Sequence, residues 1–272
     1  EIVRSVGMEG CNTVTTPMDS ILTEGSDIPW TEEESKFMED VDYGSAVGML
    51  SHYSLMTRPD LAQAVGQVQR FASNPRRHHW RAVQRIVKYV AGTMNYGLLF
   101  RRSEGAEGVV GYADSDHASD LDDRKSTSGY LFTYMGAAVS WKSKKQPGRA
   151  ARSTAEAELN ALDQAVREAL WLGKMCKGLD IGSSYNEQGH PTMLIYEDNE
   201  ACWNIANGSR WSAETKHVDV KYFACRDDVR HHRVEIHRIA TDENPADLFT
   251  KPLKRIKFEK FRAMMGVFPI DN

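Results

Sequence analysis

Apolar residues recur at helical spacing from about residue 43 to residue 93, and at a two-residue spacing in several segments beyond about residue 102. In TRPDLAQAVGQVQRF, Thr57 is a candidate cap and Pro59 falls in the first turn, ahead of Leu61, Ala64, Val65, Val68 and Phe71 on one face. The segment HWRAVQRIVKYVAG sets Trp80, Val83, Ile86, Val87 and Val90 on one side and Arg81, Arg85 and Lys88 on the other, with Gly92 as a stop. Residues 1–42 read as irregular and acidic apart from one helix signal, a capping box of Thr31 and Glu34 ahead of EEESKFMED.

The second half alternates instead. VVGYADSD predicts a strand with Val110, Tyr112 and Asp114 on one face, and SGYLFTYM and AAVSWKSK predict a meander turning near Gly136. A long helix is expected over 153–173, a strand at TMLIYED, a helix from Asn199, another over about 215–229, a strand at RVEIHRI and a helical C-terminal region. The order βββ-α-β-α-α-β-α predicts a mixed α/β domain. Three parts follow: an acidic lead-in (1–42), a helical region (43–103) and the α/β domain (104–272).

Composition changes this picture little. A hydrophobic share of 41% and a charged share of 26% are those of an ordinary globular chain. No apolar run is long enough to cross a bilayer, so no membrane partner is expected. The four cysteines are widely spaced, which predicts reduced thiols used for packing and an intracellular protein. The sequence opens at Glu1 without a methionine, as a fragment or processed product would. The net charge of −4 hides a segregation that matters more. Asp19–Asp42 carries nine acids against one lysine, whereas Arg58–Arg102 carries nine Lys/Arg against one acid. A second basic cluster comprises Lys142, Lys144, Lys145, Arg149 and Arg152. A basic face of this kind suits phosphate contact even on an acidic protein, and solvated helix faces are the alternative.

The chemistry lies in the carboxylates. GYADSDHASDLDDRKSTSGY holds five aspartates within ten residues. It is no calcium loop, because that pattern wants an acid or amide at Ala118, glycine at Ser119 and glutamate at Lys125. Asp114 is its catalytic candidate, Asp116 stays ambiguous, and Asp120, Asp122 and Asp123 read as turn residues eased by Arg124 and Lys125. On the 153–173 helix, Glu158 falls inside the arc of Leu159, Leu162 and Val166, where a carboxylate needs a metal or a basic partner. Asp198 ends a strand, as a crevice ligand or as the cap of the next helix. Asp247 follows Pro245, as a ligand or as a favourable charge at a helix start. Glu197 points away from Asp198 by alternation and is the weaker candidate. Taken together, Asp114, Glu158, Asp198 and Asp247 form an ordered D-E-D-D set. Four such oxygen donors in one cleft suit two Mg²⁺ or Mn²⁺ ions about 4 Å apart for phosphodiester hydrolysis. His231, His232 and His237 lack a partner set for zinc.

The blocks GMEGCNTVTTPMD, YGSAVGMLSHYSLMTRPDLAQAVG, GYADSDHASDLDDRKSTSGYLF, SWKSKKQ, STAEAEL, YEDNEA, TKHVDVKYF and NPADLFTKPL resemble, in content and order, the C-terminal part of the Pol polyprotein of copia-type LTR retrotransposons. That resemblance implies the end of a reverse transcriptase followed by a ribonuclease H (RNase H) domain. The fold implied is RNase H-like, a mixed five-stranded sheet with flanking helices, preceded by a small helical thumb or connection region. The implied activity is endonucleolytic cleavage of the RNA strand of an RNA–DNA hybrid. GYAD, AEAEL, YEDN and NPADLFTK match the family's metal-binding positions at Asp114, Glu158, Asp198 and Asp247. Implied partners are the hybrid and the upstream polymerase domains, and the implied location is a cytoplasmic virus-like particle or the nucleus. Arg81, Arg85, Lys88, Lys142, Lys144 and Lys145 are expected on hybrid phosphates. Two departures stand out. The YxDD polymerase motif is missing, so polymerase activity is not expected, and the loop ATDENP lacks the histidine that cellular RNases H carry there. His217 and Asp219 match a family motif, with a helix-start hydrogen bond as their expected role. The competing expectation is a catalytically silent module that binds hybrid. A transposase or integrase would want D-D-E order.

Overall fold

A computed structural model describes residues 2–25, 29–101, 108–179, 181, 189, 191–208 and 220–270, with 220–223 as backbone only. After a short helix α1 (Ile2–Ser5), Thr31 caps α2 (Glu32–Glu39) by accepting the Glu34 N–H at 3.1 Å. Only half of the expected capping box forms. The Glu34 carboxylate turns instead to Arg76 (2.8 Å) and to the Arg77 N–H (3.1 Å). Helix α3 (Tyr43–Met56) ends at Thr57, which therefore does not cap the next helix as expected. That helix starts from Arg58 as a 3-10 turn, Pro59–Leu61, leading into α4 (Ala62–Gln69). Helix α5 (Arg77–Gly92) stops where Gly92 predicts.

A three-residue strand β1 (Tyr96–Leu98) precedes the main sheet. The sheet comprises β2 (Val110–Ser115), β3 (Thr127–Tyr134), β4 (Ala137–Lys145), β5 (Met193–Glu197) and β6 (Val234–Arg238), in the order β4-β3-β2-β5-β6. The β2-β3-β4 meander is antiparallel, whereas β5 runs parallel to both β2 and β6. This is the mixed five-stranded sheet with flanking helices that the sequence implies. Met135 and Gly136, both at positive φ, make the two-residue turn between β3 and β4. Helix α6 (Thr154–Gly178) is capped by Ser153 and runs five residues beyond its expected end. It is followed by α7 (Glu200–Ala206) and α8 (Val220–Arg230), and then by 3-10 turns at Thr241–Glu243 and Pro245–Phe249. Helix α9 (Arg255–Met264) and β7 (Val267–Pro269) follow. Strand β7 returns to pair with β1, a pairing that strands of three residues are too short to announce by periodicity. The expected start of α8, with His217 and Asp219, lies outside the described residues.

Both faces of the sheet are covered, so its strands carry apolar residues on both sides. Tyr130 and Phe132 of β3 face a core shared with α6, α7 and α8, through Leu162, Val166, Cys202 and Cys225. Leu131 faces the opposite core, in which Leu50, Val65, Val83 and Ile86 of the helical region meet Phe249, Phe258 and Phe261. The helical region and the α/β domain thus share one continuous apolar cluster. All four cysteines are free, and Cys176, Cys202 and Cys225 are buried packing residues. No described helix is long and apolar enough to cross a membrane.

Candidate active site

Strands β2 and β5 are parallel neighbours, so their carboxyl ends open on the same edge of the sheet. From β2 the chain moves outward through β3 and β4, and after α6 it resumes on the other side of β2 with β5. This reversal of strand order leaves a crevice at the strand ends, where ligands bind in open α/β sheets. Asp114 is the penultimate residue of β2, Asp198 follows directly on β5, and Glu158 projects from the second turn of α6. Oxygens of the three lie within 4.8 Å of one another.

The alternatives left open by the sequence resolve locally. Asn199, and not Asp198, caps α7, accepting the Cys202 N–H at 2.9 Å. Glu158 has no basic partner among the described residues and accepts one hydrogen bond, from the Ser115 N–H at 2.7 Å. Asp114 accepts from the Thr250 hydroxyl at 2.5 Å, and Asp198 accepts from the Asn244 side chain at 3.2 Å. None of the three is in an ion pair among the described residues. Three uncompensated carboxylates, two of them buried, repel one another. Burial, followed by the charges of Glu197, Asp114 and Asp198, pushes Glu158 far above the carboxylate range. Burial and then the Asp247 charge raise Asp114. A hard divalent cation matches this donor set, since it takes oxygen ligands and cancels the repulsion.

The fourth expected residue sits beside the cluster but in a different state. Asp247 is fully buried in the Pro245–Phe249 turn, near enough for its charge to act on Asp114. Its carboxylate is ion-paired to Lys251 and Lys257, each at 2.6 Å. Gly129 makes this approach possible. It lies opposite Asp114 in the β2–β3 register, and a Cβ there would sit 2.7 Å from Phe249 Cβ and 2.9 Å from Thr250 Cγ2. Only a glycine lets the turn lie flat enough on β3 to deliver Asp247 and Thr250 to the crevice. Asn244 fixes the same turn, donating to the Ala113 carbonyl at 2.8 Å and accepting the Ala246 N–H.

Sequence reasoning missed Asn244, Thr250, Lys251 and Lys257, and it ranked Glu197 only as the weaker candidate. An Asn-Pro pair that opens a turn was the available signal for Asn244. Glu197 does point away from Asp198, yet that side of the sheet is covered by α6, so the residue is fully buried rather than solvated. Its Oε1 accepts the Asn199 N–H at 3.0 Å, while Oε2 has no hydrogen-bond partner among the described residues.

The other aspartates of the opening stretch are tied into the fold. Asp116 is buried and accepts from the Ser119 hydroxyl and the Thr127 N–H. Asp120 opens the expected turn, accepting the Asp122 and Asp123 N–H groups, and is buried there. It pairs with Arg70, the residue that ends α4, and with Lys145 of β4 (2.6 Å), and Lys145 also reaches Asp123 (2.7 Å). These cations come from elsewhere in the fold, and of the expected neighbours only Lys125 joins them, at 3.1 Å from Asp123. Among the candidate phosphate contacts, Lys145 is thus engaged internally, as is Arg85, which lies 3.1 Å from both Asp19 and Thr16. Arg81, Lys88, Lys142 and Lys144 make no ion pair among the described residues. Lys142 and Lys144 line an open cavity of about 400 Å³ beside α6, with Gln146, Asn160 and Arg167.

No protein-family model matches the chain. Over 267 residues, 98% of its length, the chain is 38% identical to the retrovirus-related Pol polyprotein from transposon TNT 1-94 of Nicotiana tabacum, of which this covers 19%. It is 32% identical over 237 residues to the retrovirus-related Pol polyprotein from transposon RE2 of Arabidopsis thaliana, covering 87% of this chain and 16% of that protein. Half of the chain, 135 residues, is 50% identical to 94% of the secreted RxLR effector protein 161 of Plasmopara viticola. The chain spans about a fifth of the Pol polyproteins' length or less. Among solved structures it is similar to LC11-RNase H1 isolated from compost, at a TM-score of 0.40 and 16% identity, covering 57% of this chain and 97% of that one. The same enzyme in complex with an RNA/DNA hybrid gives a TM-score of 0.38 at 14% identity, covering 52% and 93%.

Proposed function

Because the chain belongs to the retrovirus-related Pol polyproteins of plant transposons, we propose that it is their ribonuclease H segment, of the copia lineage, and that it hydrolyses the RNA strand of an RNA–DNA hybrid. The observation that carries this reading is the convergence of Asp114, Glu158 and Asp198 at the ends of β2 and β5, with no ion pair to any of them among the described residues. These three residues would hold a divalent metal, Mg²⁺ or Mn²⁺, and Asp247 beside them would supply a further oxygen donor for a second ion. When bound, the ions supply the positive charge that hydrolysis of a phosphodiester needs.

The chain's own residues do the positioning. The Ser115 N–H fixes one oxygen of Glu158, Thr250 orients Asp114, and Asn244 orients Asp198 while bracing the turn that carries Asp247. Lys142 and Lys144 on the β4 edge hold hybrid phosphates, supported by Arg81 and Lys88. Recognition through backbone and groove shape gives little sequence preference. The upstream polymerase domains of the polyprotein are the expected partners, in a cytoplasmic virus-like particle or the nucleus.

The test is cleavage of an end-labelled hybrid in Mg²⁺ or Mn²⁺, run beside Asp198→Asn. Cleavage should fall by roughly three orders of magnitude in the variant, equivalent to ~4 kcal/mol of barrier. Salt-sensitive hybrid binding with no cleavage in either metal would identify a silent binding module instead.

A further inference from the structure

The two classes of carboxylate in the crevice differ in who neutralises them. Among the described residues Asp114, Glu158 and Asp198 have no ion-pair partner, whereas Asp247 has one on each oxygen. Lys251 Nζ stands 2.6 Å from Oδ1 and Lys257 Nζ stands 2.6 Å from Oδ2. The Asp247 side chain is 1% exposed, while those of Lys251 and Lys257 are 40% and 28% exposed, so both ammonium groups reach inward from the surface. Lys257, in the first turn of α9, is further steadied by Asp242 at 3.4 Å, the Thr241 carbonyl at 3.5 Å and the Phe261 ring at 5.2 Å. Lys251 follows the turn directly.

A divalent ion shared between Asp114 and Asp247 would have to take an Asp247 oxygen from one of these lysines. The ion bound by Asp114, Glu158 and Asp198 displaces no ion-paired ammonium among the described residues, although the Lys251 charge also acts on Asp114. We propose that Lys251 and Lys257 form a cationic latch on Asp247, so that metal ions load in a fixed order, the first at Asp114–Glu158–Asp198 and the second only when the latch yields. The proposal rests on the reading of this crevice as a metal centre. In it the lysines are positioning residues that set the affinity of the second ion. They also hold Asp247 ion-paired until the crevice fills.

The experiment is Mn²⁺ binding to the whole chain without nucleic acid, followed by calorimetry and by the electron paramagnetic resonance of free Mn²⁺. The wild type should bind one ion and then a second at least roughly tenfold more weakly, given a like-charged competitor at the second position. Lys257→Gln should tighten the second ion and leave the first unchanged, whereas Lys251→Gln, whose charge also acts on Asp114 and Asp198, should tighten both and the second by more. Asp247→Asn should remove the second alone, and Asp198→Asn should remove the first. Two ions of equal affinity in the wild type, or a second ion indifferent to both lysine variants, overturns the latch while leaving the metal centre in place. No Mn²⁺ binding by the wild type overturns the metal centre itself. Since the order of loading is read on the wild type, a lysine variant that fails to fold does not spare the proposal.

Discussion

Asp114 and Asp120 lie six residues apart in one acidic stretch, and the fold treats them in opposite ways. Asp120 is buried and surrounded by its own cations, Arg70 and Lys145, and it also accepts the N–H groups of Asp122 and Asp123. Asp114 is buried to a similar extent but is placed among other carboxylates, with a single hydroxyl to orient it. A buried carboxylate with its counter-ions supplied is architecture, whereas a buried carboxylate left uncompensated is a site awaiting a ligand. The acids alone do not distinguish these cases. The cations that do so arrive from α4 and β4, far away in sequence.

The sharpest way to break the comparison is to exchange the two losses. Asp114→Asn should abolish hybrid cleavage and yet raise the metal-free melting temperature by a few degrees, because it relieves repulsion that the fold otherwise tolerates. A variant that melts lower in EDTA would mean that Asp114 is compensated after all. Next in size is the metal itself. Mg²⁺ at a hundredfold excess over its dissociation constant should stabilise the wild type by about 2.7 kcal/mol in chemical denaturation, and Asp198→Asn should lose that gain. Asp120→Asn should do the reverse of Asp114→Asn, costing about 1–2 kcal/mol of stability in urea unfolding while sparing the cleavage rate, since both its cations are partly solvated. The smallest effect belongs to the basic residues. Lys142→Gln and Lys144→Gln should each flatten the salt dependence of hybrid binding by about one phosphate contact. Arg85→Gln, whose cation is already paired with Asp19, should leave that slope unchanged.

Much of this arrangement is legible in the sequence. Glu158 betrays itself because a helical wheel has one apolar arc and a carboxylate has no ordinary reason to lie in it. The β3–β4 meander follows from spacing and residue type. What escapes is whatever depends on the second layer. Alternation along β5 sends Glu197 away from Asp198, and only the presence of α6 turns that direction into the interior. Lys145 and Arg85 read as free cations because the acids that claim them come from other segments. Gly129 looks like any strand glycine until the turn that packs on it is known.

The pairing of β1 with β7 has a consequence in time. Phe258, Phe261 and Val267 complete the apolar cluster begun by α3, α4 and α5, and they emerge from the ribosome more than 150 residues after those helices do. At roughly 5–20 residues per second, α3–α5 spend on the order of ten seconds or more with an unfilled apolar face. The helical region therefore cannot mature as an independent unit ahead of the carboxylate crevice. Both are closed by the same late segment, which also carries Lys257 onto Asp247.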